Sequence, residues 1–242
     1  MSLTAAEIDR ILAEEADHEC AGFGEQKVCV RISAIVDLPS RYGRFQVVGF
    51  WNNRDGRDHI AILHGNPIGK ANVPTRLHSE CLTGDALGSM RCDCRDQLEV
   101  ALRAIAAQEY GIVLYLRQEG RGIGLLNKLR AYGLQDRGMD TVEANLALGF
   151  RDDEREYSIA AHMLHSLKVR SVQLMTNNPR KVAELAQYGV DVAGRLPHII
   201  PPNEFNRFYL ETKRDRSGHL LEGGAGSRLQ EQGEPVEVSD AP

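Results

Sequence analysis

Apolar and polar positions change rhythm along this chain. From Val28 to about Leu63 they run in short β-type stretches, VCVRISAIV, FQVVGFW and HIAILH, parted by turn residues at Pro39–Gly43 and Asn52–Gly56. This predicts the opening strands of a barrel or sandwich. A loop at Gly65-Asn66-Pro67 follows. After Cys94 the period lengthens: Leu98, Ala101, Leu102 and Ile105 recur at i, i+3, i+4 and i+7, predicting a helix up to the break at Tyr110-Gly111. IVLYL (112–116), SVQLM (171–175) and VDVAGRL (190–196) read as strands. Helices are expected over about 124–137, 141–148, 154–167 and 203–214. Another begins at Pro179, which suits a first helical turn, with Asn178 as its N-cap.

Ahead of the strands, residues 1–24 hold one short helix with Ile8, Ile11 and Leu12 on a stripe, closed by Gly22-Phe23-Gly24. The stretch 222–242 has no apolar periodicity and the composition of a disordered tail. The expected organisation is therefore an N-terminal extension (1–24), one main domain (25–221) and a tail (222–242). Its fold class is α+β: a mainly β, barrel-like N-terminal part, then an α/β part with a buried sheet and flanking helices.

Composition narrows the function classes. The 242 residues are 42% hydrophobic and 26% charged, so a packed core is expected. The net charge of −5 offers no basic footprint for nucleic acid. No apolar run approaches the roughly 20 residues that span a bilayer, so no membrane partner is expected. The first twenty residues are acidic and amphipathic, unlike a secretory signal. Five cysteines, an odd and low count, argue against a disulfide framework and for a reducing, cytoplasmic setting.

Three of those cysteines fall in HSECLTGDALGSMRCDC (78–94), as Cys81, Cys92 and Cys94. Thiolates are favoured zinc ligands, and three protein ligands leave a fourth position open. In an extended segment Cys92 and Cys94 would point to one face, with Cys81 returning across a turn at Thr83-Gly84-Asp85. His78, beside Glu80 and Cys81, suits a supporting or proton-transfer role. The junction Arg117–Gly124 sets three glycines among arginines where a strand meets a helix, a pattern that lets backbone N–H groups approach phosphate. TNNPRK (176–181) ends another strand with amides, Arg180 and Lys181. Two anion-suited strand ends together favour a polyphosphate or nucleotide ligand. The acidic run Asp152-Asp153-Glu154 reads first as residues favoured at a helix start. Tyr132 fits core and catalysis equally, and His162 and His165 are assigned no role.

With these residues assembled, the chain resembles the GTP cyclohydrolase II family, the first committed enzymes of riboflavin synthesis. The resemblance rests on RLHSECLTGDALGSMRCDC (76–94), LYLRQEGRGIGLLNKLRAYGLQD (114–136), DTVEANLALGF (140–150), LMTNNPRK (174–181) and YLETKRDRSGHLL (209–221). It implies zinc at Cys81, Cys92 and Cys94, and magnesium with the triphosphate. It implies GTP contacts from Arg76, Leu77, His78, Ser79, Glu80, Gln97, Glu119, Gly120, Arg121, Thr141, Thr176 and Lys181. Asp153 matches the family's proton acceptor, Arg155 its proposed nucleophile toward the α-phosphate, and Tyr132 a further active-site residue. The implied products are pyrophosphate, formate and 2,5-diamino-6-ribosylamino-4(3H)-pyrimidinone 5′-phosphate, from a homodimer. Too few residues precede the densest part of the resemblance for a second synthase domain to be expected.

Two positions depart from the family pattern. Arg95 stands where many members have glycine, and Met139 where many have tyrosine. Loss of a phenol at 139 removes a hydrogen-bond donor and raises an alternative in which the reaction stops at the formylamino compound without formate release. A rival from another class is a nucleotide-binding module with a structural zinc.

Overall fold

The computed structural model describes residues 2–16, 18–20, 22, 27–206 and 210. In chain order, α1 (Ala5–Ala16) precedes a meander of β1 (Val30–Ser40), β2 (Gly43–Asn52) and β3 (His59–His64). Then come β4 (Val73–Ser79), α2 (Cys94–Ala106), β5 (Gly111–Leu116), α3 (Leu125–Gln135), α4 (Thr141–Ala147) and α5 (Ser158–Ser166). The last elements are β6 (Val172–Met175), α6 (Pro179–Gln187) and β7 (Val192–Leu196). Most of the helix expected over 203–214, and the whole tail from 222, lie outside the described residues.

All seven strands join one sheet in the order β1-β2-β3-β5-β4-β6-β7. The class is α+β, but the N-terminal strands form no barrel-like part of their own. Strand β3 pairs antiparallel with β5, from Ile60 opposite Tyr115 to His64 opposite Gly111, so the meander runs directly into the parallel strands. Burial on both faces explains this. Ala61 and Leu63 enter the larger core, while Ile60 and Ile62 meet Ala101, Leu102 and Ile105 of α2 on the other face. A strand apolar on both sides belongs inside a covered sheet. On the larger-core face lie α5, Leu185 of α6, and the partly buried Ile8, Ile11 and Leu12 of α1. The Gln46 side chain fastens the N-terminus further, accepting from Leu3 N (2.9 Å) and donating to Leu3 O (3.0 Å).

Strand β4 carries no hydrophobic rhythm, and yet it is the central strand of the parallel half. It pairs in parallel with β5 on one side and β6 on the other. Val73 and Leu77 reach the larger core, whereas Arg76 and His78 are polar and equally buried, at 5% and 2% exposure. Because β4 lies between β5 and β6, the connections to its two neighbours diverge. A crevice therefore opens at the carboxyl ends of the strands, the usual ligand site of such sheets.

The helix expected from residue 154 starts later, at Ser158. Its predicted first turn is spent on local pairs: Asp153 Oδ1 accepts from Arg155 N (3.0 Å), and Glu154 accepts from Arg151 N (2.8 Å). Acidic side chains that bond nearby backbone compete with the helix in this way.

Past β7, His198 closes over α2. Its Nε2 donates to Gln97 O (2.8 Å), while Asn177 bonds the His198 backbone on both sides. Burial, and then the charge of Arg76, push its imidazole down to about 3. The unfolded chain takes up this proton near pH 6.5, the folded chain only near 3, so stability falls as pH drops through that interval. At pH 5 the loss attributable to His198 is about 2 kcal/mol at most. Urea titrations at pH 7 and 5 should show it, and His198→Gln should flatten the difference.

Candidate active site

The cysteines converge, though not by the expected extended geometry. Cys81 follows β4 and caps a single wide turn, Leu82–Ala86, while Cys94 is the first residue of α2 with Asp93 as its N-cap. The Sγ atoms of Cys81, Cys92 and Cys94 lie within 4.8 Å of one another, and those of Cys81 and Cys92 are 3.7 Å apart. Zn–S bonds of about 2.3 Å in a tetrahedron give an S···S edge of about 3.8 Å, so the spacing fits zinc. A Cβ on Gly84 would stand 2.8 Å from Cys92 Sγ and 3.1 Å from Cys81 Sγ, so the turn leaves room for the sulfurs only because residue 84 has no side chain.

The charge of the cluster fits too. Hydrogen bonds with Cys92 and Cys94, and then the Lys128 ammonium, push the Cys81 thiol far down, while Cys92 and Cys94 are pushed up. The protein alone thus favours one thiolate, and a divalent cation would take the place of the remaining protons. Lys128 Nζ donates to Cys81 Sγ (2.9 Å) and to Glu119 Oε1 (2.8 Å). Glu119 Oε2 accepts from Leu82 N (2.6 Å), so the pair steadies the turn that carries Cys81. Lys128 was not singled out from the sequence. Its position three residues before Ala131 on the buried side of α3 was the available signal. Lys128→Met is expected to weaken zinc binding by about 10- to 100-fold, as losses of supporting groups around a metal do. Chelator competition would measure it.

Arg95 donates to Asp85 O (3.2 Å) and Ala86 O (3.3 Å), bracing the ligand-bearing turn from outside. Asp85, also missed, gathers three donors on its Oδ2: His78 Nε2 (3.0 Å), Cys81 N (3.0 Å) and Tyr115 Oη (2.8 Å). His78 therefore supports the cysteine turn from the strand beneath it.

Above the cysteines, a cleft encloses about 690 Å³ of atom-free space, its open mouth included. Of the expected site residues, Ser79, Glu80, Glu119, Gly120, Arg121, Tyr132, Thr141 and Arg155 line it with the cysteines, joined by Arg91 and Gln118. Tyr132 Oη lies 3.4 Å from Thr83 Oγ1, and burial pushes its phenol up to about 12. The glycine-rich junction forms a tight turn in which Gly120 and Arg121 both have positive φ, 63° and 57°. Gly122 permits the close approach of the 150s segment, since a Cβ there would meet the Glu154 backbone at 3.0 Å. Glu154 N donates to Arg121 O (3.0 Å), and Arg121 pairs with Asp152.

Arg155 forms a two-pronged pair with Asp153, through Nε (2.8 Å) and NH2 (2.6 Å), while NH1 reaches Ser79 Oγ at 3.5 Å. Burial pushes the Asp153 carboxyl up, but the hydrogen bonds and charge of Arg155 outweigh it and bring it to about 2. Thr141 opens α4 behind a capping box formed by Asp140 and Glu143.

Other expected residues are buried and are not among those lining the cleft. Arg76 donates to Met175 O (2.9 Å) and Gln97 Oε1, and Lys181 Nζ donates to Leu77 O (2.8 Å). Leu77 faces the core, and Thr176 Oγ1 accepts from Asn178 N (3.0 Å). Arg76 Nε is buried with no partner among the described residues, a desolvated donor beneath the cleft floor. Met139, 36% exposed in the α3–α4 connection, is not among the cleft-lining residues, although Thr141 two positions on is.

The profile of the family described as GTP cyclohydrolase II matches residues 31–197. The chain is 57% identical over 184 residues to "GTP cyclohydrolase-2" of Picrophilus torridus, covering 76% of this chain and 95% of that protein. It is 54% identical to "GTP cyclohydrolase-2" of Tolumonas auensis, over 79% of this chain and 98% of that one. It is also 54% identical to "Riboflavin biosynthesis protein RibBA" of Bacillus subtilis, where the match takes up 77% of this chain and 47% of the relative. Among the described residues, no helix is long and apolar enough to cross a membrane.

Proposed function

The chain belongs to the GTP cyclohydrolase II family, hydrolases that act on GTP, and from that premise we propose its products, metals and residue roles. It converts GTP to 2,5-diamino-6-ribosylamino-4(3H)-pyrimidinone 5′-phosphate, formate and pyrophosphate, with zinc at Cys81, Cys92 and Cys94 and magnesium on the triphosphate. The observation that carries this reading is one cleft holding three convergent thiols together with Arg121 and Arg155. The guanine ring belongs at the cysteine end and the triphosphate at the arginine end.

Zinc, when bound, supplies a Lewis acid with an open position that lowers the pKa of a water toward about 7. Tyr132 stays protonated at neutral pH and donates to charge developing on the opening ring. Lys128 offsets thiolate charge and holds Glu119 in place. Arg121 and Arg155 bind phosphate oxygens as charged, forked donors. The buried and incompletely partnered Arg76 guanidinium adds positive potential beneath the anion.

Arg155 acts through its charge. A guanidinium with a pKa above about 12 would have to lose a proton to become a nucleophile. Its nearest acceptor, Asp153, is held at about 2 and is a poor base while the two are paired. When Arg155 turns from Asp153 to the phosphate, the carboxylate regains basicity and accepts the proton of an attacking water.

The reaction runs through to formate. Met139 is 36% exposed and does not itself line the cleft, which supports complete hydrolysis over arrest at the formylamino compound. The test is product analysis by mass and formate assay with GTP, zinc and magnesium. Stoichiometric formate is expected, unchanged by Met139→Tyr; a formylamino product that gives way to formate in Met139→Tyr would reverse the assignment. Bound zinc and GTP without turnover would favour a binding module instead. The exposed Leu126, Leu129 and Leu146 on α3 and α4 support a homodimer, which light scattering would detect.

A further inference from the structure

Away from the cleft, beside α5, three more side chains with metal-ligating atoms come together, and a fourth stands beside one of them. The ligand atoms of His18, Cys20 and Cys29 lie within 4.8 Å of one another. His162 of α5 joins them, with Nε2 3.5 Å from Cys20 Sγ. The His18 and His162 rings stand edge to face with centroids 6.4 Å apart. These residues come from three separate places: the segment after α1, the approach to β1, and α5.

We propose that His18, Cys20, Cys29 and His162 form a second, structural metal site, a two-cysteine, two-histidine zinc site that fastens the N-terminal segment to the sheet and α5. Spacing supports it. Zn–S and Zn–N bonds of about 2.3 and 2.05 Å in a tetrahedron give an S···N edge of about 3.6 Å, close to the Cys20–His162 separation. The other ring nitrogens support it as well. His162 Nδ1 is 3.3 Å from Ser166 Oγ, which leaves Nε2 toward Cys20. His18 Nδ1 faces Glu15 Oε2 at 3.8 Å, and that oxygen also accepts from Ile32 N at 2.9 Å. His18 Nε2 is buried with no hydrogen-bond partner among the described residues. A hydrogen-bonded or carboxylate-facing outer nitrogen is the usual support for a metal-ligating histidine.

Cys29 is fixed by its own backbone, with N donating to Asn53 Oδ1 at 2.7 Å. Two thiolates balance one divalent cation, so the half-buried cluster needs no further counter-charge. With His162 drawn from Cys20 onto the group of three, four protein ligands would close the coordination sphere, the pattern of a structural zinc, where the cleft offers three cysteines.

The test counts metal in the full chain, purified reduced and without chelator. C20S/C29S is expected to carry one zinc fewer per chain than the wild type, keep its GTP turnover, and melt at a lower temperature. The complementary variant C81S/C92S/C94S is expected to retain one zinc, and cobalt loaded into it should give thiolate charge-transfer absorption. This arm reads the new site whatever happens at the cleft, and if the triple variant fails to fold the double variant still decides. Equal zinc in the wild type and C20S/C29S overturns the proposal, as does a Cys20–Cys29 disulfide in the reduced preparation.

Discussion

Gly84→Ala is expected to lose the cleft metal and about a thousandfold or more of GTP turnover, although no ligand is altered. The added methyl would lie 2.8 Å from Cys92 Sγ, 3.0 Å from Cys94 Cβ and 3.1 Å from Cys81 Sγ. All three belong to the proposed ligand set, so relief must come from displacing one. Gly84 N also donates to Cys81 Sγ (3.3 Å), which ties any backbone shift to the first ligand. A metal's contribution to transition-state stabilisation is several kcal/mol, and each 1.36 kcal/mol is tenfold in rate. Zinc analysis and turnover measured on the same sample, beside Cys92→Ser as reference, would check it. A Gly84→Ala protein with full zinc and normal turnover would show that the turn yields without cost.

Arg155→Ala should lower turnover by about 10²- to 10³-fold, the usual loss when one preorganised donor to a developing anion is removed. Arg155→Lys should recover part of this, because an ammonium keeps the charge but loses the fork. The alanine variant also takes the paired guanidinium from Asp153, whose side chain is 11% exposed, leaving it the weaker influence of Arg121 and of Arg180 at 3.9 Å. Its carboxyl should rise from about 2, bringing a new acid limb into the pH–rate profile. The nucleophile alternative predicts something different: a guanylyl adduct on Arg155 by quenched-flow mass spectrometry, and no activity in Arg155→Lys. Partial activity in the lysine variant with no adduct in the wild type is the expected result.

What could be read from the sequence depended on whether burial and hydrophobicity agreed. The cysteine cluster was legible because soft ligands at short spacing in a cysteine-poor chain have few other uses. Helix α2 and strands β5 and β6 were legible because their buried faces are apolar. Strand β4 was not, since Arg76 and His78 are buried as polar residues against Gln97 and Asp85. Lys128 was hidden for the same reason: a cation on the inner side of a helix reads as a surface residue until its partners are known. The barrel-like opening was misjudged because strand rhythm gives faces but not neighbours, and the β3–β5 pairing spans about fifty residues. The 150s segment looked helical because carboxylates suit helix starts, and only the contacts with Arg121 and Arg151 reveal why it stays extended.

The cleft's two ends differ in how they are assembled. The sulfur donors all lie within residues 81–94, on one turn and the helix start that follows it. The arginine end is built across long intervals: Arg121 with Asp152, separated by 31 positions, and Arg155 with Ser79, separated by 76. Closing the first loop costs little chain entropy, and closing the second costs more and relies on the whole sheet. The thiol end is thus a local product of the chain, and the arginine end a global one. Partial unfolding, or a distant mutation that loosens the docking of the 150s segment, is expected to leave the thiol cluster assembled in a protein whose arginine end has come apart.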